Sequence, residues 1–165
     1  MSRFSTDALL SDLASLVGRE SPSEDAPAVT ALARHIVETL RGANVHAEAR
    51  PCPPRGDAVL ATVGEGGPGL LLLGHHDTVW PKGTLAEMPF RVEDGRVRGP
   101  GVFDMKAGIA LATAVLADLA RRERPPRVTL LLTPDEEVGT DASRPLLLDV
   151  ARAHRGVLVL EPSLE

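Results

Sequence analysis

Three strand-length runs, residues 69–74, 128–132 and 156–160, carry apolar side chains on both alternating faces and are bounded by glycine, proline or acidic residues. Such a run has no face to show to water, so it predicts a strand covered on both sides, as in largely parallel sheets flanked by helices. Helical patterns fill the intervals. Leu9, Leu10, Leu13, Leu16 and Val17 recur at helical spacing behind the capping candidates Ser5 and Asp7, and Gly18 ends the pattern. A second helix is predicted over 27–41, with Val29, Leu32, Ile36 and Leu40 on one face and Gly42 as terminator. Residues 45–50 alternate as a half-buried strand, 59–63 read as another, and 90–93 and 96–98 flank Asp94-Gly95, a hairpin turn. The longest helical pattern, 104–122, is closed by Pro125-Pro126, and Ser143 is positioned to cap a shorter helix from Pro145. The expectation is an α/β domain with a mostly parallel central sheet and helices on both faces.

With 165 residues there is room for one compact domain, and 43% hydrophobic against 25% charged residues places the chain among globular proteins. A net charge of -5 without basic blocks argues against a sequence-independent grip on nucleic acid. One cysteine, Cys52, cannot form an internal disulfide, and the opening residues lack the apolar core of a secretion signal. The apolar stretch 107–117 falls short of the roughly 20 residues that span a bilayer. A cytoplasmic protein with no membrane or nucleic-acid partner is expected. Cys52, between prolines, reads as inert, and His35, His46 and His154 read as surface or packing residues. The GEGGPG at 64–69 precedes a strand rather than a helix and reads as a turn, not a phosphate cradle. Neither a G-x-S-x-G elbow nor an H-E-x-x-H helix is present.

In open α/β sheets ligands bind beyond the carboxyl ends of the strands, and here those ends are titratable. The run 69–74 leads into His75-His76-Asp77, 128–132 into Asp135-Glu136-Glu137, and 156–160 into Glu161, while Asp104 is placed at the start of the long helix. Acids converging on one rim need a counter-charge. With only Lys82 and Lys106 nearby in sequence, a divalent metal is the economical one, and a mixed imidazole and carboxylate shell suits zinc and its neighbours. Side chains at i and i+2 share a face of a strand, so His75 and Asp77 point together and His76 away. Asp77 is then placed to hold the non-ligating nitrogen of His75. A helix start keeps Asp104 ionised and able to bridge two cations. Adjacent Glu136 and Glu137 splay apart on their turn, so one can bind metal while the other moves a proton. Each motif alone has a plainer reading as a capped turn or a solvated acidic loop; their joint occurrence in this order does not.

These segments resemble the two-zinc metallopeptidases that include glutamate carboxypeptidase, acetylornithine deacetylase, succinyl-diaminopimelate desuccinylase and aminoacylase. LLLLGHHDTVWP is similar to that family's GHxDTV segment, RGPGVFDMKAGIA to its GxxDMKxG segment, TPDEEVGT to its DEExG turn and LVLEPS to its ExEP segment. The resemblance implies a zinc-exopeptidase-like catalytic domain in which His75 and Glu161 bind one metal, Asp104 bridges both and Glu137 binds the second. It implies that Asp77 orients His75 and that Glu136 is the general base of amide hydrolysis. It also implies a cis peptide at Asp104-Met105. Zinc is the expected metal, with cobalt or manganese acceptable to the same shell, and the expected substrate is a small peptide or N-acyl amino acid. The stretch KGTLAEMPFRVEDGRVRGPG looks most like the glutamate carboxypeptidase branch. Family chains continue through a lid and dimerisation domain to a late histidine on the second metal. Residues 1–165 are accordingly read as the N-terminal part of a catalytic domain, C-terminally incomplete, with a weak second site and little turnover expected. A non-catalytic remnant that binds metal or a partner is the alternative. A nucleotide-binding α/β module lacks its glycine loop here.

Overall fold

The computed structural model describes residues 5–163. Helix α1 spans Thr6–Val17, with the Ser5 hydroxyl accepting from the Ala8 amide as its N-cap. Helix α2 spans Ala26–Gly42 and starts one residue earlier than expected because the Asp25 carboxylate accepts from the Ala28 amide. Gly42 stays inside the helix; the left-handed residue that releases the chain is Asn44, at φ 62. Strands β1 (His46–Pro51) and β2 (Asp57–Val63) follow as an antiparallel pair. Strand β3 is Leu70–His75, and a single-turn helix, α3 (Thr84–Glu87), which the apolar pattern did not mark, leads to the hairpin β4 (Arg91–Glu93) and β5 (Arg96–Arg98). Asp94 and Gly95 both take positive φ, 51 and 71, as the tight hairpin turn requires.

Helix α4 runs over Ala107–Leu119, shorter at both ends than the pattern indicated. The chain kinks ahead of it: Asp104 (φ -117, ψ 101) and Met105 (φ -128, ψ 35) are not helical. Asp104 therefore stands outside the helix, three residues before Ala107, and the expected stabilisation by a helix dipole does not apply to it. Strand β6 (Val128–Thr133) is buried throughout, helix α5 is Arg144–Arg152, and β7 is Gly156–Val159. Ser143 sits at the N-cap position of α5 without capping it, because its hydroxyl is committed to Asp135.

The five-stranded sheet has the order β1-β2-β6-β3-β7. Strands β3, β6 and β7 are parallel neighbours and β1 runs with them, so β2 alone is reversed. One face packs Leu72, Leu130 and Leu132 against Leu16, Leu32, Ile36, Ile109 and Leu116 of α1, α2 and α4. The other packs Leu71 and Leu131 against Leu146, Leu147 and Val150 of α5. Helices cover both faces, as the unbroken apolar character of β3 and β6 demands. Strand β7 departs from that expectation: Val157, Leu158 and Val159 are exposed, because β7 has one neighbour and lies at the sheet edge. No helix among the described residues is long and apolar enough to cross a membrane.

The turn 64–69 crosses tightly over the chain entering β6. Gly64 has φ +76, and a Cβ there would lie 2.5 Å from the Pro126 carbonyl oxygen, whereas a Cβ at Gly67 would meet nothing within 4 Å. Gly64→Ala is expected to cost roughly 1–3 kcal/mol and several degrees in a thermal melt. Gly67→Ala should melt with the parent. Equal melting temperatures for the two variants would contradict this account of the crossing.

Candidate metal centre

The parallel register sets where the site lies. His75 closes β3 opposite Thr133 of β6, and the Leu160 amide donates to the Leu73 carbonyl, carrying the β3–β7 ladder one residue past β7. His75, Glu136, Glu137 and Glu161 are thus delivered to one rim by three adjacent strands. Asp104 reaches the same place from the kink before α4. A Cβ at Gly74 would lie 2.5 Å from the Met105 Cε, so the absence of a side chain at Gly74 lets Met105 pack beneath the strand end. The His75 amide in turn donates to the Met105 Sδ at 3.2 Å. The Asp104-Met105 peptide is cis, as the resemblance implied.

His75 is 1% exposed and its two ring nitrogens face different environments. Nδ1 lies 3.0 Å from the Asp77 main-chain carbonyl and 3.2 Å from Asp77 Oδ1, so it is held by both oxygens of the one residue. Nε2 points into the rim, 2.9 Å from Asp104 Oδ1, 3.3 Å from Glu161 Oε1 and 4.0 Å from Glu136 Oε2. His75, Asp104 and Glu137 each offer a ligand atom, and these atoms lie within 4.8 Å of one another. All six residues singled out from the sequence are brought together.

Asp77 is fully buried and anchors the turn as well as the imidazole. Its Oδ1 accepts from the Glu136 amide at 3.2 Å and its Oδ2 from the Glu137 amide at 3.3 Å and the Ser23 hydroxyl at 2.7 Å. Burial pushes its pKa up, but the bonds from His75 and Ser23 and the charge of His75 outweigh this and hold it low. Asp135, expected on the rim with its neighbours, instead turns inward and accepts from the Ala142 and Ser143 amides. That fixes the base of the loop and leaves Glu136 and Glu137 to project.

The rim has an excess of negative charge. Among the described residues, His75 is the only basic group within ion-pair distance of Asp104, Glu136 and Glu161. Burial and then neighbouring carboxylates, Asp104 foremost for Glu137, raise the pKa of Glu137, and burial with Asp104 and Glu136 raises that of Glu161. Burial favours the neutral form of His75, yet Asp77, Glu161 and Asp104 together lift its pKa to about 9. Lys106 does not relieve the charge: its buried Nζ turns away and donates to the Leu16 and Arg19 carbonyls at the end of α1. Lys82 pairs with Asp25 on the surface. His76, the next residue, is also buried, and burial lowers its pKa to about 4.

Ser23 is the site neighbour that sequence reasoning missed. It lies just before α2, in a segment with no periodicity, 54 positions from the residue it contacts. Gly74, by contrast, was legible in principle, since a glycine inside an apolar strand marks a close approach.

Residues 71–165 match the family described as Peptidase family M20/M25/M40. Carboxypeptidase G2 from Pseudomonas sp. strain RS-16 is 35% identical over 163 residues, covering 94% of this chain and 39% of that protein. Succinyl-diaminopimelate desuccinylase from Methylobacterium nodulans is 47% identical over 97 residues, covering 53% of this chain and 24% of that one. The M20 family metallo-carboxypeptidase from Sulfolobus solfataricus shares the fold with a TM-score of 0.79 at 20% identity, over 96% of this chain and 38% of that structure. The chain thus spans less than half the length of each of these three. The family match takes in the end of β3, the kink at Asp104, the Glu136–Glu137 turn and Glu161, and the chain belongs to peptidase family M20/M25/M40.

Proposed function

We propose that the protein is a metal-dependent hydrolase of amide bonds, acting as an exopeptidase or deacylase on small peptides or N-acyl amino acids. The observation that carries this reading is the convergence of Asp104, Glu136 and Glu161 on the Nε2 of His75 without a lysine or arginine among the described residues to neutralise them. The donor set fits a pair of divalent cations. An imidazole nitrogen and carboxylate oxygens are the ligands zinc takes, and cobalt or manganese would be accepted by the same shell. His75 and Glu161 would hold one ion, Glu137 the other, and Asp104 would bridge them. When bound, such a pair polarises the substrate carbonyl and makes water a nucleophile at neutral pH.

The chain's own residues do the rest. Asp77 holds the Nδ1 of His75, which fixes the ring so that the Nε2 lone pair faces the rim. Through the Glu136 and Glu137 amides the same carboxylate sets the turn that carries the base. Glu136, adjacent to Glu137 but directed separately, takes a proton from the attacking water on its carboxylate and returns it to the nitrogen of the leaving amine. The similarity to a carboxypeptidase over nearly the whole chain supports removal of a C-terminal residue, and the resemblance of residues 82–101 to the glutamate carboxypeptidase branch favours glutamate. We propose further that the chain corresponds to the first part of a catalytic domain whose lid and dimerisation elements lie outside it.

The two sides of the site are unequally furnished. His75, Asp104 and Glu161 serve the first, and among the described residues only Asp104 and Glu137 serve the second. Calorimetric titration of the metal-free protein with zinc is expected to give one tight and one weak site. Asp104→Asn should weaken both and Glu137→Gln only the weak one, and two tight sites would contradict the assignment. Zinc-dependent release of free amino acid from C-terminal-glutamate peptides or N-acyl amino acids is the activity expected, slow if the second site fills poorly. Glu136→Gln should lower that rate by roughly 10²–10⁴-fold with zinc binding retained. A Glu136→Gln protein as fast as the parent would remove Glu136 from its role. Zinc bound by the parent without any turnover would favour the non-catalytic remnant.

A further inference from the structure

We infer that Ser23 is a positioning residue of the metal centre: its hydroxyl locks the Asp77 carboxylate, and through Asp77 it sets both the His75 ring and the Glu136–Glu137 turn. The inference rests on the metal-centre reading proposed above.

Ser23 is 5% exposed and Asp77 is fully buried, so their hydrogen bond is shielded from solvent. The hydroxyl has two acceptors in range, Asp77 Oδ2 at 2.7 Å and the Thr78 carbonyl at 3.3 Å. The shorter contact is to a charged group, and a hydrogen bond to a carboxylate is roughly twice as strong as one between neutral groups. The proton therefore belongs to Asp77. A carboxylate removed from water needs its oxygens occupied, and Asp77 has four donors: the Ser23 hydroxyl, the Glu136 and Glu137 amides and the His75 Nδ1. Three of these belong to residues of the centre itself. Ser23 is the one donor that comes from elsewhere in the fold, so it is the external reference against which the other three are aligned.

Its own position is fixed from the main chain. The Thr78 amide donates to the Ser21 carbonyl at 2.8 Å and the Ser23 amide to the Thr78 carbonyl at 3.2 Å, pairing the segment alongside the residues that follow His75. Around this, Lys106 ties Arg19 to the residues beside the kink, the Glu20 carboxylate accepts from the Gly83 and Leu85 amides, and Asp25 opens α2. Residues 19–25 are thus a brace between α1 and α2, and Ser23 is the point at which the brace touches the centre.

Ser21 offers a matched control. It lies two residues away and is also buried and hydrogen-bonded, but its hydroxyl donates to the His76 main-chain carbonyl at 2.7 Å rather than to Asp77. The test is zinc titration of the full chain as parent, Ser23→Ala, Ser23→Thr and Ser21→Ala, with a thermal melt of each. Ser23→Ala is expected to weaken the tight site by about tenfold, the lower end of the cost of losing a ligand's own hydrogen-bond partner, because Ser23 acts one contact further out through Asp77. Ser23→Thr, which keeps the hydroxyl, should restore binding to within about threefold, well inside that cost. Ser21→Ala should keep parental affinity even where its melting temperature falls. Parental affinity in Ser23→Ala would overturn the inference alone, as would equal losses in Ser23→Ala and Ser21→Ala. A parent that binds no zinc would overturn the metal-centre reading and the inference with it.

Discussion

The buried Asp77 carboxylate is the constraint on which the rest of the site depends. A charge removed from water is costly unless its lone pairs are met by donors, and Asp77 is met from three separate parts of the chain: the brace before α2, the end of β3 and the turn after β6. Satisfying one carboxylate therefore fixes the relative positions of segments far apart in sequence. The orientation of the imidazole and of the Glu136–Glu137 turn are consequences of the same requirement. Removing the acid would leave several buried donors unpaired at once, which is how a single side chain can control a whole rim.

Parallel strands turn that local requirement into a site. Because β3, β6 and β7 run side by side in the same direction, their carboxyl ends open at one edge, and titratable residues placed just beyond each strand are forced within a few ångströms of one another. Mutual repulsion among Asp104, Glu136, Glu137 and Glu161 is then unavoidable. It is visible in the raised pKa of Glu137 and Glu161, to which burial contributes most and neighbouring carboxylates add, and in the lifting of His75 against its own burial. The lysine nearest in sequence to the kink is spent on the end of α1, so the fold leaves the repulsion in place.

What the sequence conveyed and what it withheld follow from the range of the interactions involved. Strands β3 and β6 were legible because two-sided burial leaves its mark on every residue, and the hairpin at Asp94-Gly95 because a turn's demands are local. The rim residues were legible because chemistry at strand ends is a positional rule. The start of α4 was not: the apolar periodicity extends back through Met105, whose side chain is buried, although the backbone there is not helical. Strand β7 carries the composition of a central strand, and nothing in four apolar residues records that the sheet gives it one neighbour. Asp135 could not be told from Glu136 and Glu137, because the Ser143 hydroxyl that claims it lies eight residues on. Ser23 is the extreme case, a short polar side chain whose partner is set only by the tertiary fold.

The centre is unevenly held, and the unevenness has a physical logic. His75 and Asp77 are buried and locked, whereas the side chains of Asp104, Glu136 and Glu161 are 53%, 51% and 37% exposed. Glu161 also follows an edge strand, steadied by the Leu160 amide bond to Leu73 and by α4, where Gly108 has no Cβ to collide with the Leu160 carbonyl. A rigid imidazole defines a fixed direction of approach for a cation. Partly exposed carboxylates can adjust to its size and to what else binds at a lower cost than buried ones. A site built this way keeps its geometry in the imidazole and its adaptability in the carboxylates, which suits the metal-dependent hydrolysis proposed for it.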